Sequence, residues 1–183
     1  KKAAGLDIAM ICPLHGPVLK EDLGHYIDKY NIWSSYGVES EGVFIAYASV
    51  YGNTKKAADM LASKLADKGV HVTVSDLARD DWAECLEDAF RYGKLVLAAP
   101  TYNADVFPAM KEFINHLTER NYQNRTIGII ENGSWAPMAA KVMKGMFEKS
   151  KNITFAENTV TVRSAVNAAN EAQIEALAEE LKG

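Results

Sequence analysis

Three short polar stretches have the residue types and spacing to bind a ligand, and each directly follows an apolar run. Gly52 in the first stretch permits a tight turn, and its polar side chains lie beside the unpaired N–H groups of a predicted helix start. Such a loop can bind a phosphate without a basic residue, because backbone donors and the helix dipole attract anions. A turn with a helix N-cap would look the same. The predicted ligand-binding residues here are Ser49, Val50, Tyr51, Gly52, Asn53 and Thr54.

The second polar stretch follows the apolar run Leu95–Ala99 and lies between two prolines. Its two aromatic side chains can flank a planar ring, and its hydroxyl and amide groups can hydrogen-bond the edge of that ring. A solvated connection between two elements would have a similar composition. The predicted ligand-binding residues are Pro100, Thr101, Tyr102, Asn103, Ala104 and Phe107.

The third polar stretch follows the run Thr126–Ile130. Gly133 permits an unusual backbone conformation, and Trp135 is placed at the tip of the loop. A stacked planar ligand would cover this indole, although a neighbouring chain or domain would cover it equally well. The predicted ligand-binding residues are Asn132, Gly133, Ser134, Trp135 and Ala136.

Alternating strand and helix patterns from residue 43 onward must position these loops. The pattern predicts an α/β fold, a doubly wound five-stranded parallel sheet with helices on both faces. In such a sheet, ligands bind at the carboxyl ends of the strands. The predicted strands are Val43–Ala48, Val70–Ser75, Leu95–Ala99, Thr126–Ile130 and one near Asn158–Arg163. The predicted helices are Thr54–Lys68, Trp82–Tyr92, Pro108–Asn121, Pro137–Lys149 and Glu171–Lys182, the first burying Ala57, Ala58, Leu61, Leu65 and Ala66.

Composition excludes several classes of protein. The 183 residues carry a formal net charge of -4 with scattered lysines and arginines, which argues against a nucleic-acid partner. No apolar run approaches the ~20 residues that span a bilayer, so we expect a cytoplasmic protein without a membrane partner. The two cysteines, Cys12 and Cys85, lack the spacing of a zinc site or redox pair. We expect both to be buried or half-buried thiols.

Taken together, the three loops resemble the flavodoxin family. Ser49, Gly52 and Thr54 match its Ser/Thr-x-x-Gly-x-Thr loop for the ribityl phosphate, and 100–107 and 132–136 match its two flavin loops. The resemblance covers about the last 140 residues of the sequence. It implies that flavin mononucleotide (FMN), rather than FAD, is bound non-covalently and carries electrons.

Residues 1–40 depart from the alternating pattern. They predict a strand at Leu6–Cys12, a turn at Pro13–Pro17, and an amphipathic stretch containing Tyr26, Tyr30, Trp33 and Tyr36. The turn resembles that of flavodiiron proteins, in which the last iron ligand of a metallo-β-lactamase-like domain is the histidine of a Pro-x-His-Gly-Pro turn. The matching residue is His15, and one histidine cannot hold two irons. We therefore expect residues 1–40 to be the C-terminal remnant of such a domain plus a linker, and 41–183 to be the FMN domain.

This resemblance implies a role in a longer parent protein, an expectation that agrees with a sequence starting at Lys1 without an initiator methionine. The FMN domain would receive electrons from a rubredoxin-type or reductase partner. It would pass them to a diiron site, present only in the full-length parent, that reduces dioxygen or nitric oxide. The parent would be a head-to-tail homodimer in which each flavin approaches the other subunit's iron site. No catalytic residue is assigned to the fragment itself.

Three alternatives remain open from the sequence. A freestanding flavodoxin would carry electrons without a fused catalytic domain, and we would expect it to begin near Val43. An NAD(P)H-dependent quinone reductase would need a wider substrate pocket, for which no large insertion is present. A flavodoxin-like module that has lost its flavin is disfavoured by the intact Ser49, Gly52, Thr54 and Trp135.

Overall fold

A twisted parallel sheet forms the centre of the fold in the computed structural model, which describes residues 5–183. Residues 1–4, the start of the predicted 1–40 segment, lie outside the described residues. The strands are β1 (Ser40–Tyr47), β2 (Val72–Asp76), β3 (Tyr92–Tyr102), β4 (Asp105–Val106), β5 (Arg125–Asn132) and β6 (Ile153–Val162). Five strands pair in parallel in the order β2-β1-β3-β5-β6, and β4 pairs antiparallel with β3. The predicted five-stranded parallel sheet is confirmed, and the hairpin to β4 was not anticipated.

Helices cover both faces of this sheet. They are α1 (Leu23–Ser34), α2 (Asn53–Asp67), α3 (Trp82–Arg91), α4 (Pro108–Glu119), α5 (Ala139–Met146) and α6 (Ala168–Leu181). Leu61 of α2 and Ile174 of α6 belong to one core cluster, whereas Cys85 of α3, Phe113 of α4 and Met143 of α5 belong to the other. The doubly wound arrangement is therefore confirmed. No helix among residues 5–183 combines the length and apolar character needed to cross a membrane.

Strand β3 shows why its sequence is continuously apolar. Leu95 and Leu97 contribute to the cluster beneath α3, α4 and α5, while Val96 and Ala98 contribute to the cluster beneath α2 and α6. All four side chains are fully buried. A central parallel strand faces helices on both sides, so alternate residues enter different cores.

Several predicted boundaries were wrong. Ala66 is exposed and Thr54 is buried in its place on the inner stripe of α2. Strand β6 begins at Ile153 rather than near Asn158, because this edge strand leaves Glu157 and Asn158 exposed and lacks a continuous apolar run. Their backbone N–H groups donate instead to the carboxylate of Glu180, at 2.6 and 3.1 Å.

The segment before β1 differs most from the prediction. The predicted strand Leu6–Cys12 was wrong: only an isolated antiparallel bridge joins Ile11 to Leu19, across the proline-containing turn. Proline lacks an N–H donor, so the turn limits how far this pairing can extend. Cys12 is exposed, contrary to expectation, whereas Cys85 is buried and its burial raises the pKa of its thiol. Tyr26, Tyr30 and Trp33 of the predicted aromatic stretch lie in α1, whereas Tyr36 follows the helix.

Arg125, the first residue of β5, ties this segment to the sheet. Its guanidinium is buried and donates to the carbonyl oxygens of Tyr36, Gly37 and Phe90 at 2.8, 2.9 and 2.6 Å. Burial lowers the pKa of Arg125. The backbone that follows α1 is thereby fixed to the amino ends of β3 and β5.

Candidate functional site

A cavity of about 280 Å³ lies at the carboxyl ends of β1, β3 and β5. The strand order reverses between β1 and β3, which is where ligands bind in open α/β sheets. All the lining residues except Ser164 come from the three predicted loops, so residues as far apart as Ser49 and Ser134 meet at one site. They are Ser49, Val50, Tyr51, Asn53, Thr54, Pro100, Thr101, Tyr102, Asn132, Gly133, Ser134 and Ser164.

The first loop forms a tight turn into α2. Gly52 has a φ of 86°, in the left-handed region, and its N–H donates to the Ser49 hydroxyl at 3.1 Å. The first bond within the helix joins the Lys56 N–H to the Gly52 carbonyl at 2.9 Å. The N–H groups of residues 53–55 precede that bond and are directed out of the helix start, where an anion can accept them.

The cavity offers neutral donors rather than charges, because no formally charged side chain appears among its lining residues within the described chain. Lys55, the nearest lysine in the sequence, pairs with Asp59 at 2.6 Å. Beside the cavity, burial followed by the charge of Asp76 raises the pKa of Tyr47. Among the lining residues, the positive potential at the first loop therefore comes from the N–H groups and dipole of the helix start rather than from a charged side chain.

The second loop is a β-hairpin. Thr101 pairs with Val106 and Tyr102 with Asp105, and the connecting Asn103 and Ala104 have φ values of 52° and 57°. Left-handed conformations at both positions are typical of a type I′ turn. The turn directs Asn103 and Ala104 away from the cavity lining.

The aromatic side chains of this loop pack against each other. The Tyr102 and Phe107 rings contact edge to face with centroids 5.8 Å apart. Phe107 is therefore not among the lining residues, and it supports Tyr102 from outside. Of the two rings, only that of Tyr102 belongs to a residue that lines the cavity.

Replacing Ala104 with glycine is expected to stabilise the protein by about 1 kcal/mol, because an L-residue is strained at a φ of 57° and glycine is not. Asn-Gly is also the preferred sequence of a type I′ turn. Urea denaturation of both forms measures the change in the free energy of unfolding. Ala172→Gly, at an exposed position within α6, is the matched control and should destabilise by roughly 1 kcal/mol. Equal losses in both variants would contradict the strained turn.

The third loop is held closely against the second. A Cβ added to Gly133 would lie 3.0 Å from the Pro137 Cα and 3.1 Å from the Thr101 hydroxyl oxygen, so a larger residue here would be crowded unless these neighbours shifted. The Thr101 oxygen accepts the N–H groups of Met138 and Ala139 at 2.9 and 3.2 Å. Thr101 therefore caps α5, which begins at Ala139 rather than at the predicted Pro137.

The tip of the third loop points into solvent. Trp135 is 95% exposed, and neither it nor Ala136 is among the cavity-lining residues. The predicted position of Trp135 at the loop tip is confirmed. Gly52 likewise shapes its loop without lining the cavity.

Two residues near the cavity were missed from the sequence. Glu131 is buried at the end of β5, where its carboxylate accepts the Ala140 N–H and the Thr161 hydroxyl, both at 2.9 Å. A glutamate directly after an apolar strand could have indicated a buried polar contact, because glutamate is rarely buried without a partner. Ser164 follows β6 and lines the cavity, and nothing in its sequence context indicates that position.

The predicted metal ligand His15 is exposed in the turn between Ile11 and Leu19. Within residues 5–183, no group of three or more histidine, cysteine, aspartate or glutamate side chains could hold a metal ion. His15 could therefore act as a metal ligand only together with ligands from outside residues 5–183.

Comparison with known proteins gives one family match and several relatives. A family model described as a flavodoxin domain matches residues 44–165. An uncharacterised protein of Methanocaldococcus jannaschii is 27% identical over 90% of this chain and 42% of its own length. A nitric oxide reductase of Moorella thermoacetica is 25% identical over 86% of this chain and 39% of its own length. The chain thus spans less than half the length of these curated relatives.

Solved structures share the whole described fold. Rubredoxin oxygen:oxidoreductase from Desulfovibrio gigas matches 99% of this chain and 45% of its own, with a TM-score of 0.89 and 20% identity. A variant of the flavo di-iron protein from Thermotoga maritima matches the same shares, with a TM-score of 0.83 and 22% identity. At these identities the likeness establishes the fold.

Proposed function

The chain belongs to the flavodoxin domain family, and from that premise we propose that residues 41–183 bind FMN and use it to carry electrons. The observation that supports this most directly is the cavity in which the three loops converge at the carboxyl edge of the sheet. FMN, when bound, supplies a group that exchanges electrons singly or in pairs. The part of this chain is to bind, orient and shield that group.

The residues fit this cofactor in two respects. The α2 start and the Ser49 hydroxyl supply donors for a phosphate without a competing side-chain charge. Tyr51 and Tyr102 line the cavity while 91% and 56% exposed, so they offer aromatic surface that a planar ligand can cover. The other residues predicted from the sequence to contact FMN remain part of the proposal, including Trp135 at the exposed rim.

The direct test is a titration of the purified chain with FMN and with riboflavin, followed by flavin fluorescence. We expect one FMN per chain and binding at least about tenfold tighter than that of riboflavin, since only FMN carries the phosphate. The bound flavin should be reduced by dithionite and reoxidised by a one-electron acceptor while it stays with the protein. The proposal would be contradicted if the chain bound no FMN at a concentration about 100 times a typical micromolar dissociation constant.

We further propose that this domain works within a flavodiiron protein. The segment 1–40 would be the end of a metallo-β-lactamase-like domain plus a linker, with His15 as one ligand of its diiron site. The domain would take electrons from a rubredoxin-type or reductase donor and pass them to iron that reduces dioxygen or nitric oxide. The names of the Desulfovibrio gigas and Moorella thermoacetica proteins support this assignment.

The FMN-loaded chain from the same titration can be assayed for nitric oxide reduction, which distinguishes electron transfer alone from complete enzyme activity. The chain alone should accept electrons but should not reduce nitric oxide at a substantial rate, because its described residues form no metal cluster. Substantial nitric oxide reduction without an added metal protein would contradict this division of labour. A freestanding flavodoxin remains the alternative, and the coding sequence upstream of Lys1 distinguishes the two.

A further inference from the structure

Ser164 is fixed at the edge of the cavity by a reciprocal pair of hydrogen bonds. The Asn132 amide nitrogen donates to the Ser164 carbonyl at 3.1 Å, and the Ser164 N–H donates to the Asn132 amide oxygen at 3.1 Å. Asn132 is 8% exposed, so this exchange is shielded from water. It fixes the backbone of residue 164 to the end of β5.

The backbone conformation at Ser164 is itself unusual. Its φ of 69° lies in the left-handed region, which costs a non-glycine residue energy. The Asn132 bonds hold it there, and the Ser164 hydroxyl oxygen lies 2.7 Å from that of Ser134. Both serines line the cavity.

One of the two hydroxyl hydrogens in this pair is available to donate to another group. Each hydroxyl carries a single hydrogen, and one of the two must donate to the other at 2.7 Å. The hydrogen of the accepting hydroxyl remains free to donate to a third atom. Because both serines line the cavity, a ligand bound beside them can accept that hydrogen bond.

The sheet order indicates which part of the ligand would accept. The phosphate loop follows β1, whereas Ser134 follows β5 and Ser164 follows β6, two and three strands further along the sheet. At about 4.8 Å per strand, the hydroxyl pair lies roughly 10–14 Å from the phosphate loop. A ligand anchored by its phosphate therefore presents its ring system, rather than its tail, to these serines.

We propose that Ser164, through its hydroxyl bond with Ser134, donates a hydrogen bond to an acceptor atom of the isoalloxazine ring. This inference rests on the proposed FMN binding. A donor aimed at a ring acceptor stabilises the more electron-rich reduced ring more strongly than the oxidised ring, since hydrogen bonds to charged acceptors are stronger. Ser164 thus sets both the affinity for FMN and the reduction potential.

The test compares Ser164→Ala and Ser164→Gly with the unchanged protein in FMN titrations and potentiometry. Both variants lose the hydroxyl, so both should raise the dissociation constant by about fivefold to tenfold and shift the potential to more negative values. Glycine also relieves the backbone strain. The glycine variant without flavin should therefore be more stable than the alanine variant, while the flavin effects agree.

Ser63→Ala, at an exposed position of α2, is the matched control and should change neither quantity. A dissociation constant within twofold of the original in both variants would overturn the inference, as would weaker binding with an unchanged potential. If the unchanged protein fails to bind FMN, it is the proposed function that fails. If it binds FMN and the variants behave like it, only the role of Ser164 fails.

Discussion

Ser49→Asp is expected to weaken FMN binding by at least about 100-fold. The substitution places a carboxylate in the loop where the helix start would receive the phosphate. Two unit negative charges about 5 Å apart repel by roughly 3 kcal/mol at an effective dielectric constant of 20, and each 1.4 kcal/mol is about tenfold in affinity. Aspartate can still accept the Gly52 N–H, so the loop should keep its conformation.

Riboflavin provides the control within the same variant. It lacks the phosphate, so its affinity for Ser49→Asp should change by no more than about threefold. Ser63→Asp, which adds the same charge on the exposed side of α2, should leave FMN binding within about threefold of the original. Equal weakening of FMN and riboflavin would show that the substitution disrupts the cavity rather than opposing a phosphate.

Arg125→Met is expected to lower the free energy of unfolding by about 3–4 kcal/mol. Methionine fills similar space but has no hydrogen-bond donor. The guanidinium of Arg125 donates to the carbonyls of Tyr36, Gly37 and Phe90 at 2.6–2.9 Å, and these bonds would be lost. These three residues are half-buried, and each carbonyl left without a partner costs about 1–3 kcal/mol. Urea denaturation monitored by circular dichroism gives the measurement.

Arg125→Lys keeps the positive charge, but a single ammonium group cannot donate to all three carbonyls. We therefore expect the free energy of unfolding to fall by an intermediate amount, roughly 2 kcal/mol. The lysine variant also gives a measurable stability if the methionine variant does not fold. Arg120→Met, at an exposed position after α4, is the matched control and should change stability by less than about 0.5 kcal/mol. A loss below about 1 kcal/mol in both Arg125 variants would contradict the anchoring role.

Much of the fold could be predicted because the helix and strand periods are clear from residue 43 onward. Leu95–Ala99 is apolar at every position, which is typical of a short strand covered on both faces. The Leu6–Cys12 run is equally apolar in places but forms no strand, because a strand depends on a pairing partner that composition does not reveal. Edge strand β6 was mislocated at its start for a related reason, since its outer residues are polar.

The sequence placed most of the predicted site residues at the cavity, but it did not indicate which of them face it. Eleven of the predicted residues line the cavity, because loops after neighbouring parallel strands meet at one edge. Asn103, Ala104 and Phe107 turn away because the second loop is a hairpin, which depends on the left-handed pair at its turn. Ser164 could not be found because its position depends on the Asn132 side chain, 32 residues earlier in the sequence.

The Arg125 anchor also constrains where electrons can travel. It holds the backbone after α1 at the amino edge of the sheet, and the eight residues of β1 separate that edge from the cavity by about 26 Å. Tunnelling rates fall exponentially with separation, so an electron acceptor at that amino edge would exchange slowly with a flavin bound in the cavity. Faster exchange would use the opposite edge of the sheet, where the cavity opens.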